Sequence, residues 1–268
     1  MSTQASDPIR IFGQGLVVGW SDFKLFWTWQ SWILSWLLRT LCQAMIWVLL
    51  GRMLGSEQAT NYLLVGNAVL AGPSSVCWAI AAAAWDRWDG TYPLLVIAPS
   101  QLLPAIAGRS FVWVINGIVT SWVVFLVLGL GFDLHFPPRT LVLLPLLTIL
   151  TCGSTFGYSL FVGSFVARVR RLRILFNFGS TNVLMALSGV SVPITFWPRS
   201  VQAIAQMLPV THGLYAVRKS FAGGAIADIV QAALRELGVG IGWLLLAILA
   251  SRLLANVGRR DGSIDDAS

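Results

Sequence analysis

The ionisable and nucleophilic residues of this chain are few, and their spacing limits the chemistry that they can perform. The 268 residues include 11 carboxylates, two histidines and three cysteines. Neither His135 nor His212 belongs to an HExxH pair, and no Gly-x-Ser-x-Gly elbow is present, so the patterns of zinc and serine hydrolases are missing. Cys42, Cys77 and Cys152 lie in apolar stretches without a CxxC pair, which indicates packing residues. The sequence therefore argues against an enzyme.

The lysines and carboxylates restrict how transport across a membrane would be driven. Only Lys24 and Lys219 occur, and neither stands in the Gly-Lys-Ser/Thr sequence of a phosphate loop. ATP hydrolysis must therefore come from another chain. Proton coupling needs a carboxylate within a span, and we predict that all 11 carboxylates, Glu236 included, fall in loops, interfacial stretches or at span ends. This placement disfavours a stand-alone secondary transporter.

Long uncharged runs are the elements that must position the remaining polar residues. No Asp, Glu, Lys or Arg occurs within 58–85, 110–132, 140–167 or 174–198. Each run exceeds the ~20 apolar residues that cross the hydrocarbon core of a bilayer. The mean hydropathy of +0.76 and the 11% of charged residues agree, because soluble domains carry about 25% charged residues. We predict an all-α membrane protein with a single transmembrane permease domain over 1–268.

The runs predict six transmembrane helices, at about 33–54, 61–84, 109–130, 141–165, 174–193 and 237–256. With the N-terminus inside, twelve basic residues lie on the cytoplasmic side and six lie outside. The positive-inside rule therefore favours cytoplasmic N- and C-termini. The net charge of +7 accordingly indicates contact with anionic membrane lipids, and no nucleic acid is expected as a partner.

Three segments outside the spans have patterns of their own. In 9–30, aromatic and apolar residues recur at helical spacing, which predicts an amphipathic helix in the membrane interface. The cytoplasmic segment 85–108 is apolar but interrupted by three prolines, so a short helix that binds a protein partner is favoured over a seventh span. On the outer side, 193–221 contains two proline-bounded helical stretches. They predict a re-entrant or interfacial helical hairpin between spans five and six.

Together these features resemble the permease subunit of type-2 ABC transporters. The resemblance covers nearly the whole chain, and two segments carry it most clearly: a Gly-Thr segment with a following Leu and Pro after span two, and the end of the outer hairpin. The matching residues are Gly90, Thr91, Leu95, Pro99, Leu208, Pro209, Tyr215 and Arg218.

The resemblance implies a separate nucleotide-binding ATPase subunit that holds ATP and Mg, while this chain carries no cofactor, metal or catalytic residue. In that family the segment after span two docks on the ATPase, and the N-terminal helix touches it as well. The expected docking residues are Asp86, Asp89, Gly90, Thr91, Leu94, Leu95, Ile97 and Pro99. Two permease chains, identical or different, are expected to pair in the bacterial plasma membrane.

Polar residues in spans one, two and five are the candidates for a substrate path. They are Arg39, Gln43, Asn67, Asn182 and Ser188. Hydrogen bonding between helices is the alternative role for the uncharged ones, and Arg39 is alternatively an anchor that reaches the membrane surface. The stretch entering span one lacks the Leu-Gly pair typical of polysaccharide exporters. This favours export of an amphipathic drug, antibiotic or lipid, with a polysaccharide or teichoic-acid exporter and a secondary transporter as the alternatives.

Overall fold

The computed structural model describes residues 7–81, 102–166 and 173–261, and within these ranges it is helical without strands. Five of the described helices are long and apolar enough to cross a membrane, which fits a multi-pass membrane protein. In chain order the helices are α1 (Pro8–Phe26), α2 (Trp29–Met53), α3 (Glu57–Ala81), α4 (Leu102–Ser110), α5 (Val112–Gly131), α6 (Pro138–Val166), α7 (Arg173–Leu187), α8 (Arg199–Met207), α9 (Thr211–Phe221) and α10 (Ile226–Asp261). The candidate spans are α2, α3, α4 with α5, α6, and α10 up to Leu253.

The predicted count of six spans is not confirmed, because the predicted fifth span is shorter than the others. Residues 174–193 were expected to cross, whereas the helix found there, α7, has 15 residues, or about 22 Å. It ends at Leu187, and Gly189 follows with φ of +80°. Such a left-handed residue is a common helix stop. The chain then runs without regular α-helix to Pro198, where α8 begins.

The last candidate span begins earlier than predicted. We expected it over 237–256, but α10 starts at Ile226 and has 36 residues. Asp228 lies in its first turn, where the positive end of the helix dipole favours an acidic side chain. Glu236 therefore lies within the helix of this candidate span. The prediction that every carboxylate falls in a loop, in an interfacial stretch or at a span end is not confirmed at this residue.

Helix α3 occupies the centre of the bundle and packs against α2, α5, α6, α7 and α9. Small residues allow this close packing. A Cβ atom added to Gly72 would lie 3.1 Å from the Gly117 carbonyl oxygen, and one added to Gly117 would lie 2.6 Å from the Gly72 carbonyl oxygen. Helices in membranes associate through such contacts because lipid tails are as apolar as the side chains. By contrast, α2 and α10 expose much of their surface.

The segment predicted as an interfacial helix contains the helix α1, which packs on α4. Its most buried residues are Ile11 and Gly19, which lie to one side of the predicted aromatic face. Trp20, at the centre of that face, is exposed. A Cβ atom added to Gly15 would lie 2.7 Å from the Ala105 carbonyl oxygen. The backbones of the two helices are therefore in direct contact, which only glycine permits at this position.

Candidate functional site

Two short helices, α8 and α9, form the hairpin that the sequence predicts, and we call residues 199–221 the hairpin. The helices have nine and 11 residues, about 14 and 16 Å, so neither is long enough to cross a bilayer. Pro198 precedes the first helix and Pro209 lies in the turn between them. Both prolines bound helices, as expected for a residue without an N–H group.

The turn of the hairpin, residues 208–210, is its apex and lies beside the middle of α10. The Trp243 indole Nε1 donates to the Met207 carbonyl oxygen at 2.8 Å, and the Val210 N–H donates to Glu236 at 2.7 Å. Glu236 and Trp243 lie about 15 and 26 Å along α10 from its start at Ile226. The apex therefore lies beside the stretch of α10 from Glu236 to Trp243, within the candidate span Ile226–Leu253.

Glu236 binds the apex through both of its carboxylate oxygens. Oε1 accepts hydrogen bonds from the Val210 N–H at 2.7 Å and from the Ser154 hydroxyl of α6, while Oε2 accepts from the N–H groups of His212 at 3.1 Å and Gly213 at 2.9 Å. The side chain has no exposed surface. The three N–H groups belong to the start of α9, where a helix has unpaired donors and the positive end of its dipole. A carboxylate is the acceptor that such a position favours.

The backbone at the apex is unusual and closely packed. Val210 has φ of +78°, a conformation that β-branched residues rarely adopt and that costs on the order of 1–3 kcal/mol. At Gly213, an added Cβ atom would overlap with the Thr151 methyl group of α6 and lie 3.3 Å from Cγ of Glu236. Glycine is therefore required here for α9 to approach α6 and α10.

Arg218 holds the second half of α9 against α3 and the chain that follows α7. Its guanidinium lies over the Tyr62 ring, with Cζ 3.4 Å from the ring centroid. It donates to the carbonyl oxygens of Gly189 at 2.7 Å, Val190 at 3.0 Å and Tyr62 at 3.1 Å. The Tyr62 hydroxyl also donates to Gly189, at 2.7 Å. The cation lies in the last turn of α9, where the helix dipole favours positive charge.

Neutral hydrogen bonds complete the attachment of the hairpin. The Thr140 hydroxyl at the start of α6 donates to the Ser220 carbonyl oxygen at 3.0 Å. Ser188, just after α7, donates to the Pro209 carbonyl oxygen at the apex, at 3.2 Å. The hairpin is thus bonded to α3, α6, α10 and the segment after α7, and the two charged contacts, from Glu236 and Arg218, lie at opposite ends of α9.

The predicted path residues fall into two groups. Asn67 and Ser188 are buried and make internal hydrogen bonds, Asn67 to the Leu63 carbonyl oxygen of its own helix at 2.9 Å. Arg39 and Gln43, one turn apart on α2, and Asn182 on α7 are exposed. The structure therefore does not bring the five residues to one shared surface of a single chain.

Arg39 lies beside an aromatic cluster that joins α1, α2, α3 and α5. Its Cζ is 5.4 Å from the centroid of the Trp36 ring, a cation–π contact. Trp36 in turn lies 5.4 Å from Trp113, 5.6 Å from Trp78 and 5.7 Å from Trp27, measured between ring centroids. This contact fits an anchoring role for Arg39 and leaves the path role open.

All the predicted docking residues lie in 82–101, outside the described residues; they are Asp86, Asp89, Gly90, Thr91, Leu94, Leu95, Ile97 and Pro99. The nearest described elements along the chain are α3 and α4.

Asp22 on α1 and Arg109 on α4 form an ion pair at 2.8 Å. Beside it lies a small open pocket, lined mainly by Phe23, Phe26, Trp27, Val112 and Trp113. In the ranges that the structure describes, no cluster of His, Cys, Asp and Glu could hold a metal.

Sequence reasoning missed the role of Glu236, although a signal was present. Ile229, Ala232, Glu236 and Gly240 follow helical spacing and share one face of α10, and this face also carries buried Ala247. A glutamate in a row of small and apolar residues indicates a buried carboxylate with a partner. The predicted start of the span at 237 hid this pattern.

Comparisons with known proteins identify no relative: no family model, no curated protein and no solved structure matches the chain significantly.

Proposed function

We propose that this chain is the membrane-embedded permease subunit of an ATP-driven exporter of the type-2 ABC class. The observation that carries the proposal is the hairpin, whose apex lies beside the stretch of α10 from Glu236 to Trp243. The family resemblance in the sequence predicts a re-entrant outer hairpin at this place, directly before the last span. The amphipathic α1 before the first candidate span is a second feature that the resemblance predicts.

The motor in this proposal is a separate ATPase subunit, because the chain has no phosphate loop. The subunit docks on 85–101 and on α1. Support comes from the described elements that flank this segment: α4 follows it directly, packs closely on α1 and is joined to it by the Asp22–Arg109 ion pair. Movement of the docking segment during ATP-driven closure would therefore reach α1 and α5 through α4.

The transport path lies between two permease chains, identical or different. Arg39 and Gln43 on α2 and Asn182 on α7 are polar groups on outward faces of apolar helices. Such groups are costly against lipid and are normally turned toward protein or a water-filled cavity. A second chain that covers these faces would remove that cost and would complete a path lined by all three side chains.

The cargo is an amphipathic drug, antibiotic or lipid of the bacterial plasma membrane. A long glycan needs many hydrogen-bonding partners, because each buried polar group left unpaired costs about 1–3 kcal/mol. Of the five predicted path residues, Asn67 and Ser188 are already used in internal hydrogen bonds. The few that remain suit a ligand with mainly apolar surface. A polysaccharide or teichoic-acid exporter is the alternative branch.

A stand-alone secondary transporter gains one supporting observation, since Glu236 lies inside a candidate span. Buried carboxylates in spans are common proton carriers. The geometry of this one argues against that role, because three N–H groups and a hydroxyl donate to its two oxygens. These contacts fix the carboxylate at the start of α9, as a helix cap requires.

The test is purification of the chain from its own host, followed by assay of any ATPase that accompanies it. We expect a separate nucleotide-binding subunit, whose ATP hydrolysis is stimulated by amphipathic compounds or lipids. Leu95→Asp should uncouple hydrolysis from transport, because an unpaired charge in a docking surface costs about 3–5 kcal/mol. Leu95→Met, which conserves volume, is the matched control and should behave as wild type. Stimulation by undecaprenyl-linked glycans alone would return the chain to the polysaccharide branch, and transport without any ATPase would refute the proposal.

A further inference from the structure

The start of α9 lacks a capping side chain of its own. Val210 occupies the N-cap position, where Ser, Thr, Asp or Asn is normally found. The hydroxyl of Thr211 does not replace it, because that group donates to the Ala205 carbonyl oxygen at 2.7 Å. The N–H groups at the helix start therefore depend on an acceptor from elsewhere in the chain.

Water cannot be that acceptor, because Val210 at the apex has no exposed surface. Buried backbone groups must be satisfied by the protein itself. Glu236 supplies the acceptor for Val210, His212 and Gly213 together. The sequence thus places the cap of α9 on another helix, more than 20 residues further along the chain.

The helix that carries Glu236 is continuous and packs closely on α6. The 36 residues of α10 span about 54 Å, and Glu236 lies about 38 Å from the far end of the helix. Around the site, α6 and α10 are in backbone contact: a Cβ atom added to Gly240 would lie 2.9 Å from Cα of Ser154, and one added to Gly157 would lie 3.0 Å from the Gly240 carbonyl oxygen. The carboxylate therefore has a fixed position against which the apex is held.

We propose that Glu236 is the positioning residue that latches the apex of the hairpin to α10, so that the hairpin keeps its depth in the bundle and moves with this helix. The latch joins the hairpin to a helix that extends to the opposite end of the bundle. Without the carboxylate, the apex loses the acceptor for three N–H groups and separates from α6 and α10, while the rest of the bundle keeps its packing. The inference requires the membrane spans but not the ATP-driven mechanism.

The experiment measures how fast single cysteines react with a water-soluble maleimide in protein reconstituted into lipid nanodiscs. Leu214→Cys, at a position 1% exposed and one turn from the apex, reports on the hairpin. Native Cys77, fully buried near the far end of α3, reports on unfolding of the bundle. Each reporter is used in a chain whose other cysteines are replaced by alanine.

Glu236→Gln should raise the labelling rate at 214 about tenfold or more, because the amide nitrogen cannot accept and the buried N–H group or groups that face it lose their acceptor, while Cys77 stays protected. Asp228→Asn, at an exposed carboxylate in the first turn of α10, is the matched control and should leave both rates unchanged. Protection at 214 in the Gln variant overturns the proposal.

If the Gln variant also exposes Cys77, Glu236→Asp decides, since it keeps the charge but shortens the side chain by one methylene. We then expect faster labelling at 214 than in wild type, with Cys77 protected. If the Asp variant is labelled at 214 as slowly as wild type, or if both reporters are labelled faster than in wild type, Glu236 does not act specifically on the apex.

Discussion

Replacing Gly213 by alanine should loosen the hairpin, and the packing around this residue gives the size of the effect. The new Cβ atom would overlap with the Thr151 methyl group and lie 3.3 and 3.4 Å from Cγ and Cδ of Glu236. Thr151 and Glu236 are fully buried, so neither can move away cheaply. Overpacking of a buried site costs about 1–3 kcal/mol. We therefore expect Gly213→Ala to lower the free energy of unfolding by about 2 kcal/mol.

Thr151→Ser should compensate for this substitution. Serine lacks the overlapping methyl group but keeps the hydroxyl, which donates to the Thr148 carbonyl oxygen at 3.0 Å. Alone, the loss of a buried methyl group costs about 1 kcal/mol. In the double variant the alanine Cβ fills the space that the methyl group leaves. The double variant should therefore be more stable than Gly213→Ala, with a favourable coupling energy of about 1–2 kcal/mol.

The measurement is thermal unfolding of the purified protein in detergent, followed by the amount of monodisperse protein that survives heating. Gly238→Ala on α10 is the control, because no atom lies within 4 Å of its added Cβ. It should be neutral or stabilising by up to about 1 kcal/mol. The packing of α9 on α6 is refuted if Gly213→Ala melts as wild type does. It is also refuted if Thr151→Ser adds its own loss to that of Gly213→Ala.

Two further predictions concern the attachments of α9 and α1. Arg218→Gln should lower the unfolding temperature more than Arg218→Lys. Each hydrogen bond from a charged donor contributes about 1.5–3 kcal/mol, and lysine keeps the charge without the forked geometry. If both variants melt at the wild-type temperature, the contacts with Gly189 and Val190 are contradicted. Gly15→Ala should speed proteolytic cleavage within α1, because its Cβ would lie 2.7 Å from a carbonyl oxygen of α4. Gly13→Ala is the control and should not change the cleavage rate, because no atom lies within 4 Å of its added Cβ. Equal cleavage of the two variants would show that α1 is not held by this contact.

Much of the architecture follows from the sequence because charge is costly in a hydrocarbon layer. The apolar stretches predict all five of the long apolar helices that the structure describes, together with a sixth span that it does not confirm. Helices are expected there because backbone groups in a hydrocarbon layer must bond within their own segment. The two helices of the hairpin, Arg199–Met207 and Thr211–Phe221, lie within the segment 193–221 for which the sequence predicts them. Prolines bound them, and a proline acts locally by removing one N–H group.

The sequence by itself therefore determined which segments are apolar helices and where prolines interrupt them, because these properties depend on neighbouring residues alone. The tertiary structure decided how the charged residues are used. Glu236 looks the same in sequence whether it ends a span at the membrane surface or caps a helix inside the bundle, and only its contacts with Ser154 and the start of α9 distinguish the two. The end of α7 at Leu187 likewise accompanies contacts from Arg218 and Tyr62 to the chain after it. Such contacts join residues far apart in the chain, and no local pattern records them.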